Sequence, residues 1–237
     1  MTGSSPSTWS PTDCQNSSET FPLEYICDSL YEFDLNETRN GYVVEPGMAV
    51  GQPEDVTSSY AGRYGVPDDA TAGYAWKIRL RDDLCWDDGE KIDVEDFIYS
   101  VKQFLNPEMK NFRANLLYED SIPLAGAEAY YKGEGPWKDV GFIRDDDLTF
   151  TVVLKTSLTP FMFMYNSGSL RLVKEDLYEA GKKESGDIVK SSYGTSVEMS
   201  ASYGPYKVTA FQADKSMTMS RNESWRGYHD GQHEGQY

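Results

Sequence analysis

The stretch Trp76-Lys-Ile-Arg-Leu-Arg-Asp-Asp-Leu-Cys-Trp86-Asp-Asp-Gly-Glu-Lys-Ile-Asp-Val-Glu-Asp96-Phe-Ile-Tyr-Ser100 decides how this chain is read. Tyr74, Trp76, Ile78 and Leu80 alternate with Ala75, Lys77, Arg79 and Arg81, which predicts a strand with one apolar face. Asp87-Asp88-Gly89 supplies turn chemistry. Asp93 then stands at a helix N-cap, with Glu95 and Asp96 in a first turn whose exposed N–H groups favour negative charge. Val94, Phe97, Ile98, Val101 and Leu105 form the helical stripe, and Asn106-Pro107 ends it.

Upstream, residues 1–18 are rich in Ser, Thr and Pro and read as extended loop. Leu23, Ile26, Cys27 and Leu30 have the spacing of one helix. Tyr31-Glu-Phe33 and Tyr42-Val-Val44 predict a hairpin turned at Asn40-Gly41, and 46–73 reads as a long surface excursion. Downstream, 112–131 reads as helix interrupted near Pro123. Phe142-Ile143 and Leu148–Leu154 read as strands joined by Asp145-Asp146-Asp147. Helical turns are expected at Pro160–Tyr165 and Lys174–Ala180, and a last hairpin across Asp214-Lys215. Helices and strands interleave, with several antiparallel pairs. The order implies an α/β or α+β domain carrying an antiparallel subdomain.

The chain of 237 residues has 22 Lys plus Arg against 39 Asp plus Glu, a formal net charge of −17. That balance excludes a general nucleic-acid binder, since phosphate backbones select basic surfaces. It also disfavours an anionic membrane surface as partner. A hydrophobic share of 39% with 14% aromatics is enough for a core and argues against disorder. Cys14, Cys27 and Cys85 are odd in number and lack close pairing, so they read as small hydrophobes rather than a disulfide framework. No apolar run approaches the roughly 20 residues of a membrane span, and the N-terminus shows no secretory signal.

The Trp76–Ser100 stretch resembles the signature of extracellular solute-binding proteins, family 5, the oligopeptide-, dipeptide- and nickel-type receptors of ABC importers. The resemblance continues in order through Ser29-Leu30-Tyr31-Glu-Phe33, Pro46-Gly47-Met48-Ala49, Asn106-Pro107, Val140-Gly141-Phe142 and Asp146-Asp147-x-Thr149. It runs on through Tyr203-Gly-Pro-Tyr-Lys207 and Arg221-Asn222. It implies an α/β fold, the first lobe of a type II (cluster C) periplasmic-binding-protein-like architecture with an extra mixed α+β subdomain. It further implies a division into the start of lobe I (1–45), the extra subdomain (46–165) and a continuation of lobe I (166–237). The chain is expected to lack the second lobe, and with it the lobe-borne Trp loop and acidic residue that grip a ligand, and so to bind weakly alone.

The resemblance further implies a monomeric, non-enzymatic receptor without cofactor, periplasmic or anchored as a lipoprotein at the cell surface in the full-length protein. Its partners would be a peptide ligand and the membrane permease subunits of an importer, with no nucleic acid. A receptor for many peptides must read what all share, the main chain, so an extended ligand would dock like an added strand in a hydrated cleft. The segment facing that cleft would be Cys14, Gln15, Asn16, Ser17 and Ser18, with Phe112 leaning over the ligand. Nickel or another small solute is the alternative within the family. Outside it stands an acidic secreted hydrolase using Asp87 or Asp88 with Glu95. His229 and His233, four apart in a Gly- and Asp-rich tail, read as loop rather than a metal clip, and Asp145–Asp147 as a solvated turn.

Overall fold

The computed structural model describes residues 5–231. Two single-turn helices open the chain, α1 (Ser17–Thr20) and α2 (Leu23–Ile26). The hairpin β1 (Tyr31–Leu35) and β2 (Tyr42–Pro46) follows. Next come β3 (Glu54–Asp55), β4 (Ala75–Arg79), α3 (Val94–Phe104), α4 (Asn115–Tyr118) and α5 (Ala127–Tyr131). The chain continues through β5 (Phe142–Arg144), β6 (Thr149–Val153), α6 (Pro160–Asn166) and α7 (Glu175–Ala180). Two hairpins finish it: β7 (Lys182–Ser185) with β8 (Ile188–Ser191), and β9 (Tyr206–Gln212) with β10 (Ser216–Arg221).

The centre is a four-stranded antiparallel sheet in the order β3-β4-β6-β5. Trp76 faces Val152 and Ile78 faces Phe150 across β4 and β6, so the alternating apolar face is placed as the sequence predicts. Asp93 caps α3 in a reciprocal box: its carboxylate accepts the Glu95 N–H at 2.7 Å, and Asp96 accepts the Asp93 N–H at 2.9 Å. The capped helix lays its apolar stripe on the sheet. Phe150 stacks between Phe97 and Phe142 at centroid distances of 5.3 and 4.9 Å, and Trp76 stacks on Phe163 at 5.1 Å. This core also takes in Leu30, Tyr31, Leu170, Leu172 and Tyr203. A second, smaller core gathers Trp9, Cys14, Leu23, Ile26 and Val208.

Three expectations need correction. The helix read across Leu23–Leu30 stops at Ile26, and Cys27 is extended. The Ile26 carbonyl accepts instead from the N–H groups of Tyr203 and Gly204, at 3.0 and 2.9 Å, and from the Ser202 hydroxyl at 2.9 Å. That approach requires a glycine, because a Cβ at 204 would lie 2.7 Å from the Ile26 carbonyl carbon. The β1–β2 hairpin forms, but its left-handed residue is Arg39 rather than Asn40 or Gly41, and the Asn36 side chain accepts the Asn40 N–H at 3.1 Å. The excursion 46–73 is not wholly superficial: Asp55 and Thr57 accept the N–H groups of Gly73, Tyr74 and Ala75, and Val66 is buried. Among the cysteines only Cys14 is fully buried; Cys27 and Cys85 are partly exposed, and all three are free thiols.

One ionic cluster joins distant parts of the chain. Buried Arg226 pairs with Asp28 at 2.9 Å, with Asp230 at 3.2 Å, and with Glu32, while the Trp225 indole donates to Asp28 at 2.9 Å. No helix among the described residues is long and apolar enough to cross a membrane.

Candidate functional site

The segment before α1 is built from below. Trp9 is buried against Phe211 at 5.1 Å, and its main-chain N–H donates to the Gly194 carbonyl at 2.7 Å. The Ser10 carbonyl accepts from Asp13 and Cys14 N–H, both at 3.1 Å, closing a turn. Beneath the loop lies Glu19, whose carboxylate accepts from the Ser7 hydroxyl at 2.5 Å and the Gln15 N–H at 2.8 Å. Burial pushes this carboxyl up, but those donors and the Asn16 N–H more than offset it and hold it below the ordinary carboxylate range. Asn16 caps α1 through its side chain, 3.2 Å from the Glu19 N–H. Gln15, Asn16 and Ser17 are therefore exposed on a rigid support, with Ser18 half-buried.

The loop contributes unevenly. Cys14 turns inward: its thiol donates to the Glu19 carbonyl at 3.2 Å, and its own carbonyl accepts from Arg113 Nη1 at 3.2 Å. Burial pushes that thiol up to about 12, so it remains protonated and unreactive at neutral pH. Most main-chain groups of Cys14 and Gln15 are thus already engaged. Of the main-chain groups of these two residues, the Gln15 carbonyl is the one that accepts no hydrogen bond from the described residues.

Two polar depressions lie beside this segment. The first, about 540 Å³, brings Gln15, Asn16 and Glu19 together with Lys110, Phe112 and Lys190. Phe112 is 68% exposed there although large apolar rings are usually buried. The second, about 430 Å³, is lined by Thr20, Glu24, Arg113, Tyr165, Asn166 and Arg171. The family resemblance named both Phe112 and the loop as ligand contacts; here Phe112, Gln15 and Asn16 line one depression. It did not single out Arg113 or Arg171, which come from segments far apart in the chain and form no motif.

The acidic residues named for catalysis stand elsewhere and in separate roles. Asp87 accepts the Ser202 N–H at 2.9 Å, Asp88 pairs with Lys174, and Glu95 pairs with Arg144 at 3.0 Å. Burial raises the Asp88 carboxyl, but the Lys174 ammonium outweighs it and leaves the group below its usual value. Asp146 accepts the Leu148 N–H at 2.8 Å, as a turn residue does. His229 lies 3.0 Å from the Glu223 carbonyl, and His233 falls outside the described residues. No group of three or more His, Cys, Asp or Glu side chains able to hold a metal occurs among the described residues.

Residues 55–234 match the family "Bacterial extracellular solute-binding proteins, family 5 Middle". The chain belongs to this family. Among its relatives is the oligopeptide-binding protein OppA of Bacillus subtilis strain 168, 27% identical over 143 residues, or 59% of this chain and 24% of that one. The dipeptide-binding protein of Lactococcus lactis subsp. cremoris MG1363 is 27% identical over 135 residues, covering 57% of this chain and 22% of the relative. The chain thus spans about a quarter of the length of these family members. In three dimensions, 94% of it matches 37% of the substrate-binding domain of an oligopeptide ABC transporter from Bacillus anthracis str. Ames, with a TM-score of 0.72 at 20% identity. The pheromone receptor PrgZ matches with a TM-score of 0.72 at 17% identity, over 94% of this chain and 38% of the receptor. At these identities the structural matches establish the fold: a mixed α/β part of a family 5 substrate-binding domain.

Proposed function

We propose that these residues form part of an extracellular receptor that captures peptides for an ABC importer and performs no chemistry on them. The observation that carries this reading is the pairing of family membership with an exposed, rigidly supported loop whose Gln15 and Asn16 line a polar depression together with an exposed Phe112. A peptide lying there would donate a main-chain N–H to the Gln15 carbonyl, meet the amide side chains of Gln15 and Asn16, and rest a side chain on the Phe112 ring. Such contacts serve many sequences, because none depends on one ligand side chain. Enclosure by further protein would remove the ligand from water and strengthen each bond, and closure would signal occupancy to permease subunits by a hinge motion. Within this reading, 46–165 acts as a subdomain set into a lobe made of 1–45 and 166–237, the receptor works as a monomer, and it resides in the periplasm or is lipid-anchored outside the cell.

Calorimetry of the natural full-length protein with a mixture of tri- to pentapeptides tests the proposal. Saturable heat at micromolar concentration is the expected result. Absence of heat with every peptide, alongside binding of nickel chelates, would replace the substrate class. Hydrolysis of a peptide or glycoside that is lost in Asp88→Asn would replace the whole reading.

A further inference from the structure

The second depression differs from the first in its charge. Its charged lining is two arginines and one glutamate, in a chain whose overall charge is −17. Neither guanidinium is saturated by the fold. Arg113 has no ion pair among the described residues; its side chain makes one hydrogen bond, from Nη1 to the neutral Cys14 carbonyl. Arg171 donates from Nε to the Gly168 carbonyl at 3.4 Å and from Nη2 to Glu24 at 3.3 Å, while its buried Nη1 has no acceptor. The Glu24 contact is a single long bond to a carboxylate that is 65% exposed and so can turn away into water. The two cations nevertheless line the same depression, although they come from segments far apart in the chain.

From this arrangement, and resting on the peptide-capture reading above, we propose that the Arg113–Arg171 depression recognises a carboxylate of the bound peptide, so that the receptor prefers peptides presenting an anion at this point. A carboxylate entering would accept charge-assisted hydrogen bonds from both guanidiniums, displacing Glu24 into water where its charge is well solvated. The hydroxyls of Thr20 and Tyr165 and the Asn166 amide line the same space and tolerate a polar guest. An acidic surface elsewhere repels free anions, so the local positive charge acts as a selector for an anion already attached to a captured peptide. The carboxylate could be an Asp or Glu side chain or the peptide's own C-terminus, and the chemistry of the site is the same for both.

The test uses the natural full-length protein and four pentapeptides: an alanine scaffold with one glutamate, its glutamine counterpart, and both again with the C-terminus amidated. Titration should give an affinity about ten-fold higher for the form carrying the recognised carboxylate, the size expected for a charge-assisted contact. A glutamate-over-glutamine preference identifies a side chain, and an acid-over-amide preference identifies the terminus. Arg113→Gln and Arg171→Gln should each reduce the preference toward unity while the amidated glutamine peptide still binds. Equal affinity for all four peptides in the wild-type protein overturns the inference and leaves peptide capture standing. Binding of none overturns both. A preference that survives in both variants also overturns the inference. The wild-type comparison needs no variant to fold.

Discussion

Around the central sheet, Trp76, Phe97, Phe150 and Phe163 are sealed from water and stack in two pairs, Trp76 on Phe163 and Phe97 on Phe150. Beside the two depressions, Phe112 is 68% exposed and Tyr165 is 62% exposed. The same residue class is thus used in two opposite ways within a short distance along the chain. In the sheet region each ring is fully buried in the core, and removing one leaves a void that packed surroundings cannot fill. At the depressions the rings keep most of their surface in water, Tyr165 even though it meets Phe33 at 5.5 Å and Phe161 at 6.4 Å, so the fold gains less from them. Retaining exposed aromatic area next to polar groups is what a surface for a changing guest requires.

The contrast can be broken by experiment, beginning where the effect is largest. Trp76→Ala should cost about 3–5 kcal/mol in urea unfolding, since a fully buried indole and its stacking partner are lost; a loss under about 1 kcal/mol would mean that the sheet region is not the stable one. The helix on that sheet carries a titrating group. Burial raises the Asp96 carboxyl to about 6 from its ordinary 3.8, against the hydrogen bonds it accepts from Asp93 and Trp86. Because the folded value is the higher one, this group's contribution is full below about pH 4 and is lost as pH rises through 6. Wild-type protein should therefore lose up to about 3 kcal/mol relative to Asp96→Asn between pH 4 and 7, measured as unfolding free energy at the two pH values. A smaller change is expected from Asp93→Ala, which removes the α3 cap and should cost about 1 kcal/mol, read from the denaturation midpoint. Smallest in stability is Phe112→Ala, expected within about 0.5 kcal/mol of wild type while peptide affinity in calorimetry falls several-fold. Should that substitution unfold the protein, Phe112 would belong with the buried rings after all.

How much of this could be read in the sequence follows from the same difference. The strand, turn and helix of Trp76–Ser100 were legible because burial imposes a period on the residues, and Asp93 because a cap has a fixed offset from its helix. The hairpin β7–β8 was missed: Lys182, Lys183, Glu184 and Ser185 lie largely in water, so no apolar alternation marks them. The Gly186-Asp187 pair at its turn, with Gly186 left-handed, was the available signal. Leu30 was assigned to a helix because its spacing from Leu23 fits one, yet it enters the larger core while Leu23 enters the smaller. A periodic match cannot tell which of two cores a side chain serves. The loop at Cys14–Ser18 came from family resemblance alone, and the inward turn of Cys14 has no local signature. Arg113 and Arg171 come to line one depression only through the fold, and neither stands in a pattern that sequence could expose.

The cluster of Arg226 with Asp28, Glu32 and Asp230 has a mechanical side. Asp28 and Arg226 are 198 positions apart along the polypeptide yet touch at 2.9 Å. A pull applied between them would meet a short, stiff clasp before reaching any sheet or helix, and everything enclosed by the clasp would remain slack. Load entering near residue 28 would pass straight to residue 226, bypassing the depressions, which would keep their shape under tension.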